Sequence, residues 1–253
     1  MRTHHLNCAT MIGGFATHCL LIETATALVL VDTGFGTPAV DDPRTLGITR
    51  HLLRPRLARE TTAVHQVVAL GYAADAVTDI VLTHLDFDHA GGLVDFPAAR
   101  VHVHGPEWRA AQRPRWADRL RYHRDQWAHD PHWVVNEPGR GELWHGFHDV
   151  APLDGLPEDL LVVPLYGHTG GHVGVAVDTG DRLLLHAGDA FVPTARFDSP
   201  GARFATAFYG SPQAQHYAAR WANARLVAAA ANSGAMTVFT SHDPTMFARL
   251  SGQ

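Results

Sequence analysis

Lysine is absent from this chain of 253 residues. Its cationic side chains are 20 arginines against 25 acids, a formal charge of -5, so the basic stripe that a nucleic-acid binder needs is not there. Cysteine is scarce as well. Cys8 and Cys19 are too few for a disulfide framework and neither sits in a CxxC pair, so both read as small buried apolar residues. No apolar run approaches the roughly 20 residues of a membrane span. The N-terminal stretch lacks the cationic, apolar and small-residue order of a signal peptide. The expectation is a soluble cytoplasmic protein with no membrane partner. The GxSxG nucleophile elbow is also missing, which leaves Ser211 in "YGSP" as a helix cap rather than a nucleophile.

What is present is histidine, 19 of them, and short apolar runs of β type. Residues 17–22 and 27–32 read as a hairpin across the polar link 23–26. Residues 61–71 place Val64, Val67 and Val68 at helical spacing before Gly71. Strands are expected at 80–83, 99–105, 160–164, 173–178, 182–186 and 236–240, and a helix at 211–234 with Pro212 at its first position. Residues 41–59 read as loop and broken helix. The Arg- and Trp-rich stretch within 106–148 reads as a helical insertion that walls a pocket or makes a homodimer contact. Its acids nearly offset its arginines, and Trp108, Trp116, Trp127 and Trp133 serve equally well as core anchors. Runs of strands with helices between and after them, and no linker or repeat, predict a single α/β domain over 1–253.

The chemistry concentrates in "THLDFDHAGGL". Here His84, Asp86, Asp88 and His89 follow directly on a strand, and four ligand-type side chains in six residues exceed what one tetrahedral ion takes from one loop. A loop lets all four converge, so a two-metal site is the natural inference. His102 and His104 share one strand face and read as solvated or core-satisfied. His4 and His5 read as part of a terminus.

With "LVLVDTG", "GHTGGH", "LLLHAGDA" and "TVFTSHDP" in this order around that cluster, residues 17–244 resemble the metallo-β-lactamase superfamily. The resemblance implies a four-layer αβ/βα sandwich with a dinuclear centre at one edge of its two sheets. His84, Asp86 and His168 would hold one ion, Asp88, His89 and His242 the other, and Asp189 would bridge them. His172 and His186 sit beside ligands in these motifs and read either as partners that orient a carboxylate or as plain packing residues. Two divalent ions are implied, with zinc ranked first and iron or manganese as alternatives. The implied activity is hydrolysis of a small molecule, a lactone or another ester, by a bridging hydroxide, with Asp88 orienting the nucleophile or passing on its proton.

This chain departs from the pattern in two places. Most hydrolytic members carry histidine where Asp86 stands, and the diiron flavoproteins carry glutamate. Three aspartates and a hydroxide cancel the charge of two divalent ions, so the expected centre is neutral and a weaker Lewis acid. The lactonases also carry a tyrosine three residues after the bridging aspartate, where this chain has Val192. Tyr166 or Tyr209 would replace it only if the fold brings one near. A thioesterase similar to glyoxalase II, a diiron oxidoreductase and a non-catalytic metal binder are the competing readings.

Overall fold

The structure is a computed structural model and describes residues 1–139, 141, 143–191 and 217–252. Two sheets form its centre. The first runs β1 (Arg2–Thr10), β2 (Ala16–Glu23), β3 (Leu28–Val31), β4 (Val77–Val81), β5 (Arg100–His104), β6 (His132–Asn136). The pairs β1–β2 and β2–β3 are antiparallel, and the others in this sheet are parallel. In the second sheet the order is β11 (Thr237–Phe239), β10 (Leu183–His186), β9 (Val173–Asp178), β8 (Leu160–Pro164), β7 (Ala151–Pro152), with only β10–β11 parallel.

Period-two patterning explains the layers. Leu20, Ile22, Val29 and Val31 point into a core shared with Val175, Val177 and Leu184 of the second sheet. Their neighbours Cys19, Leu21, Leu28 and Leu30 face the other way, onto Val67 of helix α3 (Ala63–Ala69). On the far side, Ala176 and Leu185 pack with Val227 and Ala230 of the helix Tyr217–Ser233. Helices, sheet, sheet and helices therefore stack in four layers, as the α/β expectation required. Among the described residues no helix is long and apolar enough to cross a membrane. Both cysteines are buried and free.

Two expectations need correction. Residues 106–148 are not a helical insertion. After α4 (Gly105–Gln112) come two 3-10 turns, Trp116–Asp118 and Arg124–Trp127, and then strand β6, which pairs with β5. Pro114 and Pro131 interrupt the helical run, and the β-branched pair Val134 and Val135 fits a strand. Trp127 is buried, and Trp108 and Trp133 pack on the same core, but Trp116 is 84% exposed. Nor are His4 and His5 a loose terminus. Both lie in β1, where the His4 ring nitrogen meets Glu23 and His5 Nδ1 lies 2.8 Å from His18 Nε2. The first turns of the predicted helix at 211–234, with Ser211 and Pro212, lie outside the described residues, as do Val192 and Tyr209.

Candidate metal centre

Backbone packing sets the site before any side chain does. After β3 the chain turns through Asp32, a non-glycine residue at φ 58°, and Gly36 at φ 67°. A Cβ on Gly36 would collide with the Gly91 carbonyl, so the turn after β3 and the "AGG" turn after His89 lie backbone on backbone. Asp32 is held there by burial and by what it accepts. Thr83 N–H and Thr83 Oγ1–H each donate to its carboxylate at 2.8 Å, and His89 Nδ1–H donates at 2.8 Å.

Those bonds decide which imidazole nitrogens face inward. The Thr83 hydroxyl spends its proton on Asp32, so at 2.9 Å it accepts from His84 Nδ1–H. His242 Nδ1–H donates to the Ala16 carbonyl at 2.7 Å. In each case Nε2 is left turned toward the acids. His168 Nε2 lies 3.0 Å from Asp86 Oδ2 and 3.5 Å from Asp189 Oδ2. Asp189 lies between both halves of the cluster, with His242 Nε2 at 3.1 Å and His89 Nε2 at 3.6 Å. Asp88 Oδ2 lies 3.6 Å from His242 Nε2.

All seven predicted ligands are thus buried together at one end of the two sheets. Three trios have ligand atoms within 4.8 Å of one another: His84, Asp86, His168; His84, His89, Asp189; and Asp88, His89, His242. Buried atoms with no hydrogen-bond partner include His84 Nε2, His89 Nε2, Asp86 Oδ1 and Asp189 Oδ1. Unpartnered buried acceptors are costly unless a cation completes them, so the donor set fits divalent ions. Titration reflects the same crowding. Burial opposes charge on His89, but Asp32, Asp189 and Asp88 raise it to about 10. Burial likewise works against ionisation of Asp189, yet the His242 and His89 charges hold it well below the usual carboxylate range.

His172 and His186 differ from expectation in what they hold. His172 Nε2 accepts from the backbone N–H of Asp189 at 2.8 Å, while its Nδ1–H donates to the Leu165 carbonyl. His186 binds the His18 carbonyl and the Gly188 N–H. They steady the backbone of the Asp189 turn and neither touches its carboxylate. His102 meets Asp79 at 2.9 Å, and His104 meets the Gly171 carbonyl, so both are satisfied in the core.

Three residues that the sequence did not single out matter here. Asp32 sat in a quoted motif without a role. Glu107 is fully buried and accepts from Leu85 N–H, Tyr122 O–H, Thr169 Oγ1–H and Gly171 N–H. The Arg121 guanidinium contacts Asp86 Oδ2 and lies 3.1 Å from His168 Nε2. The neutral charge count made from the ligands alone therefore omits a buried cation. Tyr166 does not supply the missing phenol. Its ring stacks on His104 and its charged surroundings are Asp149, Arg109 and Glu137.

A strand-end cluster of three acids and four histidines, drawn from both sheets of an αβ/βα sandwich, matches the superfamily model "Metallo-beta-lactamase superfamily" over residues 12–242. The chain belongs to the metallo-beta-lactamase superfamily. Within that superfamily it is similar to a Mycobacterium tuberculosis protein named "Probable metallo-hydrolase", with 49% identity over 202 residues. That match covers 78% of this chain and 65% of the relative, so the chain spans about two thirds of the relative's length. An N-acyl homoserine lactonase of Bacillus thuringiensis is 30% identical over 166 residues, 64% of this chain and 58% of that protein. Among solved structures, an N-acyl homoserine lactone hydrolase with N-hexanoyl-L-homoserine at its catalytic metal centre superposes with TM-score 0.71 at 19% identity, covering 96% and 93% of the two chains. A dizinc quorum-quenching lactonase superposes with TM-score 0.60 at 20% identity, covering 91% and 73%. These two likenesses show the shared fold.

Proposed function

We propose that this protein is a metal-dependent hydrolase that opens a lactone or cleaves another small ester at a dinuclear centre. The observation that carries the reading is the convergence of seven buried ligand-type side chains with unpartnered acceptor atoms facing one another. His84, Asp86 and His168 would hold one ion, Asp88, His89 and His242 the other, and Asp189 would bridge, with zinc ranked ahead of iron or manganese. Two such ions, when bound, supply an acidified water and polarise an ester carbonyl.

The protein's own residues do the positioning. Asp32 fixes the ring orientations of His84 and His89, so that both turn Nε2 toward the acids. His172 fixes the Asp189 backbone. Asp88, between His242 and His89, is the carboxylate placed to orient a water and hold the proton it gives up. A cavity of about 510 Å³ is lined by Phe35, Leu46, Ile48, Tyr122 and His123, with Gly91 of the turn after His89 in its wall. Its wall is shared with the ligand loop, since His123 stacks on Phe87 and Gln126 donates to the Phe87 carbonyl. The apolar part of that wall would take an acyl chain, with Arg119, Arg124 and Asp125 beside it. The same reading has the protein acting in the cytoplasm on small molecules, away from nucleic acid and membrane, as a homodimer through the exposed Trp116 and Leu120.

The deciding experiment is metal analysis of protein purified without added metal, followed by a panel of lactones, thioesters and phosphotriesters. Lactone or ester turnover that is lost with chelator and restored by zinc or manganese is the expected result. Iron with visible absorbance and no turnover of any of these compounds would move the protein to the oxidoreductase reading.

A further inference from the structure

Asp86 and Arg121 are 35 positions apart, and no motif links them, yet they form a buried arginine–carboxylate pair in the centre. Their side chains are 6% and 11% exposed. Arg121 does more than neutralise the carboxylate. Its Nη1 lies 3.1 Å from His168 Nε2, the nitrogen that closes the trio of His84, Asp86 and His168.

An unprotonated imidazole nitrogen has one lone pair. It accepts a hydrogen bond from a guanidinium or it coordinates an ion, and it cannot do both, while in the other tautomer Nε2–H donates to Asp86 Oδ2 at 3.0 Å and an ion must displace that proton as well. Asp86 differs, because its second oxygen, Oδ1, is buried without a partner and stays open while Oδ2 holds the arginine. Any ion that takes His168 must therefore break the Arg121–His168 contact and settle beside a like charge that never deprotonates.

We propose that Arg121 is an internal cation that competes with the ion held by His84, Asp86 and His168, so that this ion binds only as the guanidinium withdraws from His168. The proposal rests on the reading of that trio as an ion site. It also accounts for the unusual carboxylate. A histidine at position 86 would deprive the buried Arg121 of its nearest carboxylate and leave Glu107 as its anionic neighbour, and Asp86 without Arg121 would be left with His84 and His168. The two residues make sense as a pair in which each offsets the other's buried charge, while His84 Nε2 and Asp86 Oδ1 remain open to an ion.

The ordinary alternative is that Arg121 supports Asp86 from outside, as partners of ligating carboxylates do. Loss of such a partner weakens metal affinity, typically by about 10–100-fold. Competition has the opposite sign, which makes the two readings separable. The test is to strip the full-length protein with chelator and titrate wild type, Arg121→Gln and Arg121→Lys with zinc chloride alone, by calorimetry and by competition against a chromophoric chelator. Arg121→Gln is expected to tighten one of two equivalents by at least about tenfold, with Arg121→Lys closer to wild type. In a His242→Ala background, which leaves the trio intact, the remaining equivalent should keep that dependence on Arg121. Unchanged or weaker binding in Arg121→Gln overturns the proposal and leaves the metal reading standing. No zinc binding by any of these proteins overturns the metal reading itself.

A second measurement guards against a variant that is merely less stable. Ion-free Arg121→Gln should melt below ion-free wild type, and saturating zinc should raise its melting temperature by more than it raises that of wild type. An equal or smaller rise counts against competition.

Discussion

Asp32 binds no ion in this reading, yet two ligand histidines depend on it. It accepts directly from His89 and, through Thr83, orients His84, and it does so from a left-handed backbone conformation that few non-glycine residues adopt. Burial alone would raise its carboxyl, but the charge and hydrogen bond of His89 hold it below the usual range. Asp32→Asn cannot accept from three donors with one oxygen, so zinc affinity should fall by about 10–100-fold, read by chelator competition. Affinity equal to wild type would show that the tautomers are fixed elsewhere. His5 gives a second prediction at this scale. Burial first, then the neighbouring His186, Arg182 and His4 charges, lower it from 6.5 to about 4. Between those values the unfolded chain binds the extra proton, so stability is lost as pH falls from about 6.5 to 4 and does not depend on this group above that window. The loss should reach up to about 3 kcal/mol in urea unfolding, and His5→Phe should flatten the slope. A variant with the wild-type slope would assign the acid sensitivity to other groups.

At the scale of elements, the ligand loops are tied together by the first turn of α4. Glu107 reaches the loop after β4 through Leu85 and the β8–β9 loop through Thr169 and Gly171, and it accepts from Tyr122 as well. The approach is so close that a Cβ on Gly171 would collide with the Glu107 backbone. Glu107→Ala would strand four buried donors and should cost at least about 3 kcal/mol in urea unfolding, with weakened zinc binding. Glu107→Gln should fall between the two, and an alanine variant with wild-type stability would refute this account. The same elements show what the sequence made legible. The β2–β3 hairpin, β8, β9 and β10 announce themselves because they are short, nearly continuous apolar runs whose residues are mostly buried. The ligands were readable because they sit at strand ends within short motifs. Strand β1 was missed because it is a half-exposed edge with several polar residues. Strand β6 was missed because its pairing with β5 is set by contacts distant in sequence. Arg121 and Glu107 were invisible for a related reason: each meets its partners across 15 or more residues, and only the packed fold makes the contact.

For the whole molecule, the centre doubles as a clasp between the two halves of the sandwich. The loop after β4 in the first sheet supplies His84, Asp86, Asp88 and His89, while His168, Asp189 and His242 follow β8, β10 and β11 of the second. Protein contacts cross the same seam, including Val173 N–H to the Thr83 carbonyl at 2.9 Å and His18 N–H to the Ser241 carbonyl at 2.9 Å. Those bonds involve no metal ligand atom, so the fold should survive chelation. What changes is the electrostatics: without an ion the carboxylates are offset by Arg121 beside Asp86 and by His89 and His242, both of which the neighbouring acids raise above the ordinary imidazole value. An ion present at about 100 times its dissociation constant stabilises by about 2.7 kcal/mol. In a chain of this length, that should raise the melting temperature by roughly 5–10 °C. Differential scanning calorimetry of chelated and zinc-restored protein reads this directly. The expectation is one cooperative transition in both states, lower in the chelated protein. Two separate transitions after chelation would mean that the ions, rather than the strand packing between the sheets, hold the halves together.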